Sequence, residues 1–206
     1  GYKGHRADSG YDQQKVSVRH FYERSTYSFE TGATLVNLNQ ETAGYITGME
    51  VFEDESVAFS NPNPEAFRDA KAGRVWSRFM FGSDTSELIV KPYVRYTEME
   101  FLQHFLPGAP LEENGQKSFG LQMYTSGNLS NMVSFSVGVD AEFTRAYLKQ
   151  TQFAETTGSA FLQATVPFGR HYDYTVDAKQ IAPFFQIRTD ITRSEERRVG
   201  KECRSR

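Results

Sequence analysis

The sequence lacks several features on which common classes of protein depend. Its 206 residues include one cysteine, Cys203, so a disulfide framework and a cysteine metal site are excluded. No run of eighteen apolar residues occurs, which excludes a transmembrane helix. The four histidines do not have the spacing of a metal site, and we expect neither a bound metal nor a cofactor.

The last fourteen residues, 193–206, share no pattern with the rest of the chain. They read RSEERRVGKECRSR, and this string resembles the translation of a common sequencing adapter. A solvated basic tail is the alternative, but a segment of foreign origin is set aside before the fold is considered. We therefore expect residues 1–192 to be the natural part, an internal piece of a longer protein, and residues 193–206 to be unfolded.

The balance of charge argues against nucleic acid as a partner. The tail holds six of the 23 basic residues and three of the 26 acidic residues. The rest of the chain therefore has 17 basic and 23 acidic side chains, a net charge of −6. An acidic chain without a basic cluster does not attract a phosphate backbone.

The clearest pattern in the sequence is the alternation in residues 132–144. Apolar side chains at the odd positions from Val133 to Phe143 alternate with small or acidic ones, which are Ser134, Ser136, Gly138, Asp140 and Glu142. Successive side chains of a strand point to opposite faces, so this strand has one apolar and one polar face. A soluble β-sandwich and a transmembrane β-barrel both satisfy this pattern.

Six further segments alternate in the same way, beginning near residues 15, 27, 75, 88, 117 and 179. Short connections alternate with long ones of about 35, 15 and 34 residues. Outer-membrane barrels have short turns at one end, long loops at the other and strands of about 9–11 residues. An aromatic content of 14% in a chain of mean hydropathy −0.57 also suits a barrel with aromatic girdles.

These patterns favour an all-β, antiparallel transmembrane β-barrel. A sandwich would instead bury the odd positions of residues 133–143 beneath a second sheet of the same chain. Because seven strands cannot close a large barrel, we expect an open curved sheet with unpaired edges. If odd positions face lipid, arginine at Val137 should cost about 2–4 kcal/mol, whereas serine at Gly138 should cost much less.

Three segments resemble TonB-dependent outer-membrane receptors. They are NPNPEAFRDA at residues 61–70, KPYVR at 91–95 followed by MEFLQHFLPG at 99–108, and GRHYDYTVDA at 169–178. The resemblance implies a 22-stranded barrel filled by an N-terminal plug, of which this chain supplies about seven strands. The implied function is TonB-dependent active uptake of a scarce ligand, most often a ferric siderophore or another iron complex, across the outer membrane of a Gram-negative cell.

The resemblance also implies the partners of the protein. They are the TonB energy-coupling complex, reached through an N-terminal region outside this chain, a small-molecule metal chelate and outer-membrane lipid. A passive porin and a barrel enzyme are the alternatives within the same fold. An enzyme needs a nucleophile with a base in reach, and Ser118, Ser134 and Ser136 on the polar face are expected as plain lining. We therefore expect no enzymatic activity.

Three cationic residues on the polar face of two neighbouring strands are candidates for ligand binding. Arg78, Lys91 and Arg95 would attract an anionic chelate in a narrow cavity. Alternatively, they would pair with carboxylates of the plug or of neighbouring strands, such as Asp140 and Glu142.

A second group of candidates falls in two of the long connections. His104 and Phe105 lie in one, and His171 and Tyr172 lie in the next. Aromatic loop residues on a rigid scaffold commonly contact ligand, but these four could equally pack the loops on one another.

Overall fold

A computed structural model describes residues 1–83 and 86–189, which form one antiparallel sheet in which every strand pairs with the next in the chain. The predicted all-β, seven-stranded open sheet is confirmed. The tail, residues 193–206, lies outside the described residues. The strands are β1 (Tyr11–Glu23), β2 (Tyr27–Glu41), β3 (Phe67–Ser83), β4 (Ser86–Leu102), β5 (Leu111–Ser130), β6 (Val133–Gln152) and β7 (Gly169–Thr189).

The register of the strands aligns their apolar side chains on one face. Directly paired residues share a face, and one such row runs across six strands through Val18, Ala33, Val75, Val94, Phe119 and Phe143. We call the whole set of these rows the apolar belt. It consists of every second residue in 16–22, 27–35, 75–81, 88–94, 119–125, 133–143 and 181–187.

The two faces of the sheet differ sharply in exposure. Phe119 and Phe143 in the apolar belt are 57% and 58% exposed, and among the described residues no second sheet covers them. On the opposite face Ile89 is only 1% exposed. Side chains converge on the concave side of a curved sheet and diverge on the convex side, so the belt is convex. The sandwich alternative is therefore wrong, because it requires a layer over this face.

Polar residues within the belt find partners on the same face. Thr31 and Ser77 lie side by side on β2 and β3, and their hydroxyl oxygens are 3.0 Å apart. Such pairing satisfies hydroxyl groups that would otherwise be unpaired in an apolar medium. Thr31 and Ser77 therefore satisfy each other's hydroxyl groups within the belt, and no charged side chain is needed beside them.

The strands are longer than the sequence pattern indicates. They contain 13 to 21 residues, against about 9–11 expected for the span of a membrane. The additional residues lie at the long-loop end, where polar and apolar side chains mix on both faces and the alternation of hydrophobicity disappears. For example, Lys149 on β6 and Glu113 on β5 pair on the convex face beyond the belt, with Nζ 2.5 Å from the carboxylate.

The long connections are correspondingly shorter than predicted. They cover residues 42–66, 103–110 and 153–168, because the strands extend into the segments interpreted from sequence as loops. Residues 42–66 contain a 3₁₀ turn, Val51–Glu53, and helix α1, Glu55–Ala58, and residues 153–168 contain helix α2, Ala160–Thr165. Among the described residues, no helix is long and apolar enough to cross a membrane.

Helix α1 begins at a capping aspartate. The carboxylate of Asp54 accepts hydrogen bonds from the hydroxyl and the backbone N–H of Ser56, at 2.6 and 2.9 Å. These two hydrogen bonds lower the pKa of Asp54, because they stabilise its ionised form. The loop of residues 42–66 thus has a locally fixed turn at the end of the sheet opposite the short connections.

The concave face at Gly138 is crowded. A Cβ atom at this position would lie 2.5 Å from the carbonyl oxygen of Met123 and 2.6 Å from the ring of Phe184. Serine at Gly138 would therefore force neighbouring atoms to shift, which counts against the expectation that it costs much less than arginine at Val137. Alternation assigns the face of a residue correctly but does not show what the neighbouring strands place beside it.

Candidate functional site

A cluster of polar side chains surrounds Glu142 in the middle of the concave face. Tyr93 donates its hydroxyl hydrogen to Glu142, and Arg95 Nη2 lies 2.5 Å from Glu142 Oε1. Thr144 donates to the same oxygen at 2.8 Å, and its hydroxyl is 2.7 Å from that of Ser118. The five residues come from β4, β5 and β6, so the cluster ties three strands together.

Two glycines allow aromatic rings to lie across neighbouring strands of this face. A Cβ atom at Gly32 would be 2.6 Å from the indole ring of Trp76, its direct partner on β3. A Cβ atom at Gly120 would overlap the ring of Tyr93, its partner on β4. Rings that cover glycines in this way recover contact area that a strand glycine otherwise loses. This packing also holds the hydroxyl of Tyr93 at Glu142.

The three cations predicted from sequence, Arg78, Lys91 and Arg95, all lie on the concave face, but their surroundings differ. Arg95 is paired with Glu142, as the alternative interpretation of this group required. Among the described residues, Arg78 and Lys91 have no carboxylate within ion-pair distance, and Arg78 Nε is buried without a hydrogen-bond partner.

Sequence analysis missed a fourth cation, Arg74. It lies directly opposite Arg95 on the concave face, and the two guanidinium groups are 5.8 and 5.5 Å from the centre of the Tyr93 ring. Arg74 and Arg78 are four residues apart, so both lie on the same face of β3. This even spacing is the signal in the sequence that would have identified Arg74. We call Arg74, Arg78 and Lys91, together with Arg95, the cationic group.

A second group of polar residues lies at the long-loop end. Gln103 Nε2 donates to Glu112 at 2.6 Å, and Gln150 Nε2 donates to Gln103 Oε1 at 2.7 Å. His171 then contacts Gln150 Oε1 through Nδ1 at 3.1 Å and the carbonyl oxygen of Pro167 through Nε2 at 2.8 Å. This chain of contacts, which we call the loop clasp, joins residues 103–110 to residues 153–168.

The direction of the hydrogen bonds in the loop clasp is fixed by its ends. The carboxylate of Glu112 only accepts, so the amide nitrogen of Gln103 must face it, and the oxygen of Gln103 must face the nitrogen of Gln150. The oxygen of Gln150 is then left for His171, whose other nitrogen faces the carbonyl oxygen of Pro167.

The loops also interlock through Gln152, which is fully buried. Its side chain packs against Gly108, where φ is 78° and a Cβ atom would overlap the Gln152 amide. The amide nitrogen donates to the carbonyl oxygen of Ala154 and to the hydroxyl of Thr156, at 2.6 and 2.8 Å. Glycine is required at position 108 both for the positive φ and for the close approach.

The four loop candidates divide into two pairs. His104 and Phe105 lie in the loop 103–110 as predicted, with their rings 5.7 Å apart and nearly perpendicular. His171 and Tyr172 were predicted to lie in a loop, but they lie near the start of β7, because that strand begins at Gly169. The structure brings His171 into the loop clasp and leaves Tyr172 exposed.

Phe105 belongs to an aromatic cluster beside the loop clasp. Its ring is 5.8 Å from that of Phe101, and the guanidinium group of Arg68 lies 4.2 Å from the centre of the Phe101 ring. Among residues 1–83 and 86–189, no cluster of three or more acidic, histidine or cysteine side chains could hold a metal ion. The site is thus one of cations, aromatic rings and amides.

Comparison with solved structures identifies the fold. The ferric citrate transporter FecA, in its unliganded form, matches with a TM-score of 0.68 at 10% sequence identity. The match covers 90% of this chain and 28% of FecA, so the chain spans little more than a quarter of that protein. The sheet is part of a β-barrel wall. No protein-family profile and no curated protein sequence matches the chain.

Within the barrel the loop clasp lies where the wall ends and the long loops begin. We expect Gln150→Leu to loosen residues 153–168, because it removes the hydrogen bonds to Gln103 and His171. Each bond contributes about 0.5–1.5 kcal/mol, so the loop should open roughly tenfold more often. Cleavage by chymotrypsin after the exposed Phe161 measures this opening.

The matched control for this prediction is Gln40→Leu. Gln40 lies on the concave face of β2, in the same row of paired residues as Gln150, and forms no side-chain hydrogen bond within the described part of the chain. Its cleavage rate should equal that of the unmodified barrel. Equal rates in the two variants would contradict the role of the loop clasp.

Proposed function

We propose that this chain is part of the barrel domain of a TonB-dependent receptor in the outer membrane of a Gram-negative cell. Residues 1–192 supply about seven of its strands, and residues 193–206 are a translated sequencing adapter. The receptor takes up a scarce anionic iron chelate, such as a ferric siderophore, with energy from the TonB complex. Support comes from the barrel fold, from the match to a transporter and from the three resembling segments.

The cationic group is the observation on which the choice of ligand depends. Three of its members, Arg74, Arg78 and Lys91, lie inside the wall without an ion-pair partner among the described residues. Unpaired cations in a cavity with low-dielectric walls concentrate anions. An anionic ligand is therefore a better match to this face than a neutral or cationic one.

The test is iron uptake by cells that carry the complete gene. We expect the triple variant Arg74→Gln, Arg78→Gln, Lys91→Gln to take up ⁵⁵Fe as an anionic citrate or catecholate chelate on the order of tenfold more slowly at limiting concentration. Uptake of a neutral hydroxamate chelate should change much less. The difference should shrink as salt is added, because the attraction is screened.

Lys71→Gln is the matched control, because Lys71 is an exposed cation of β3 on the convex face. It removes the same kind of charge from the opposite side of the wall and should leave uptake unchanged. Equal losses from Lys71→Gln and from the triple variant would contradict ligand binding on the concave face. Uptake that persists after the proton gradient is collapsed would instead identify a passive porin.

A barrel enzyme has less support than a transporter. Ser118, one of the three serines considered from sequence, is hydrogen-bonded through its hydroxyl to the hydroxyl of Thr144 in the Glu142 cluster. Ser134 and Ser136 line an open cleft of about 540 Å³ at the short-turn end, together with other small polar residues. These serines are therefore assigned to the lining of the barrel.

A further inference from the structure

An apolar patch lies on the concave face, although the interior of a membrane barrel is normally polar. Two rows of directly paired residues cross the sheet between the cationic group and the row that contains Gln40 and Gln150. In these two rows the strands β2, β3 and β4 contribute one polar residue, Thr97, and five apolar ones. We call the five the inner apolar patch: Val36, Leu38, Ala70, Ala72 and Met99.

The surroundings of the inner apolar patch contain no negative charge. Within the described part of the chain, neither of the two rows holds a carboxylate, and the one charged residue in them is Lys15, directly opposite Val36. All five side chains of the patch are partly exposed, and no described helix or strand packs over them. Apolar side chains that face water favour any apolar group that covers them.

The cationic group borders the inner apolar patch. Arg74 lies two residues beyond Ala72 on the same face of β3, which is a distance of about 7 Å along the strand. Arg95, its direct partner on β4, lies two residues from Thr97. A molecule whose anionic part is held by the cationic group therefore meets the patch with whatever is attached to that part.

The shape of the inner apolar patch suits a narrow apolar group. Its central strand, β3, carries only alanines, and the larger Val36, Leu38 and Met99 lie on the strands to either side. The patch is therefore a shallow trough that runs along β3, directly away from Arg74. It extends over about 7 Å along the strands and about 10 Å across them, which suits a short hydrocarbon chain.

We propose that the ligand is an amphiphilic iron chelate, with an anionic head on the cationic group and a hydrocarbon arm in the trough of the inner apolar patch. The inference rests on the proposed function, because it takes the ligand to be an anionic iron chelate. It narrows the substrate class of that same site to chelates that carry an acyl arm.

The experiment compares two catecholate chelators that share one anionic iron-binding head and carry either an octanoyl or an acetyl arm. Retention of their ⁵⁵Fe complexes by the full-length receptor in phosphatidylcholine nanodiscs gives each dissociation constant, after subtraction of the iron that empty nanodiscs retain. A methylene group covered on one side favours binding by about twofold, so the octanoyl complex should bind at least about tenfold more tightly than the acetyl complex.

Two variants change the trough in opposite directions. Leu38→Gln should weaken binding of the octanoyl complex about fivefold, because it replaces an apolar wall by an amide. Thr97→Val removes the one hydroxyl group beside the patch on β4 and should strengthen octanoyl binding about twofold. Neither variant should change the dissociation constant of the acetyl complex, and this unchanged value also shows that the barrel has folded.

Leu148→Gln is the matched control. Leu148 lies on the same face and in the same row as Leu38, but Asn114 separates it from the inner apolar patch, and its strand carries no member of the cationic group. The same substitution there should leave both dissociation constants unchanged. Equal losses of octanoyl binding from Leu38→Gln and Leu148→Gln would overturn the assignment of the arm to this trough.

Three further outcomes decide between the inference and the proposed function. Equal affinity of the unmodified receptor for the two complexes would overturn the inference. An equal loss of both complexes in Leu38→Gln would also overturn it, because the patch would then pack against another part of the receptor. Preference for the octanoyl arm without uptake of either complex by cells would support the inference and reject only the proposed transport.

Discussion

Val137→Arg is expected to destabilise the full-length barrel by about 2–4 kcal/mol, the cost of arginine on the lipid face near the middle of a bilayer. Val137 lies at the centre of the apolar belt on β6, between Thr125 of β5 and Phe185 of β7, and is 40% exposed. Among the described residues no carboxylate lies beside Val137 on the convex face to pair with the guanidinium group, and its polar partner Thr125 already donates its hydroxyl to the carbonyl oxygen of Glu87. Unfolding by guanidinium chloride in phosphatidylcholine vesicles measures the change in free energy.

The control must carry the same side chain on the other face of the same strand. Ser136→Arg meets this need, because Ser136 precedes Val137 and lines the open cleft at the short-turn end of the concave face. Arginine there can extend into water, so the change should stay within about 0.5 kcal/mol. Gly138, which the sequence pattern suggested as a control, is too crowded by Met123 and Phe184. Equal costs at positions 136 and 137 would contradict the assignment of the two faces.

Strand number and facing could be predicted from sequence because a single requirement determines both. Each strand must present apolar side chains to one medium and polar ones to the other, and this enforces a period of two across the belt. This requirement no longer applies beyond the end of the apolar belt. Beyond it Lys71, Glu98 and Tyr147 lie on the convex face, and the strands continue through backbone pairing and cross-strand ion pairs. The alternation of hydrophobicity therefore cannot predict where the strands end.

The candidate site was predictable only in part, for a related reason. Parity placed Arg78, Lys91 and Arg95 on one face correctly, and it would have added Arg74 had the start of β3 been set earlier. The loop clasp was not predictable. It depends on Gln103 and Gln150, which are 47 residues apart and meet because β4 pairs with β5 and β5 with β6, each in one particular register. The sequence around a glutamine does not indicate which distant residue its amide group will bond to.

Gly120→Ala tests the concave packing with the second largest expected effect. A methyl group at Gly120 would overlap the Tyr93 ring, which cannot move without giving up its hydrogen bond to Glu142. Overpacking of this kind costs about 1–3 kcal/mol. We expect a loss of stability of that size in guanidinium chloride unfolding of the full-length barrel, although alanine normally stabilises a strand relative to glycine.

Gly73→Ala is the matched control for this substitution, since Gly73 also lies inside a strand with an ordinary backbone conformation. A Cβ atom there would meet only the flexible end of Leu35, at 3.2 Å, so the change should be neutral or stabilising by up to about 1 kcal/mol. In a Tyr93→Ala background the ring is absent, and Gly120→Ala should then cost no more than Gly73→Ala. The difference between the two backgrounds is the coupling energy of the pair, expected at about 1–3 kcal/mol. Additive effects of Tyr93→Ala and Gly120→Ala would show that the ring does not lie over Gly120, and the Glu142 cluster would then lose the packing that positions its tyrosine.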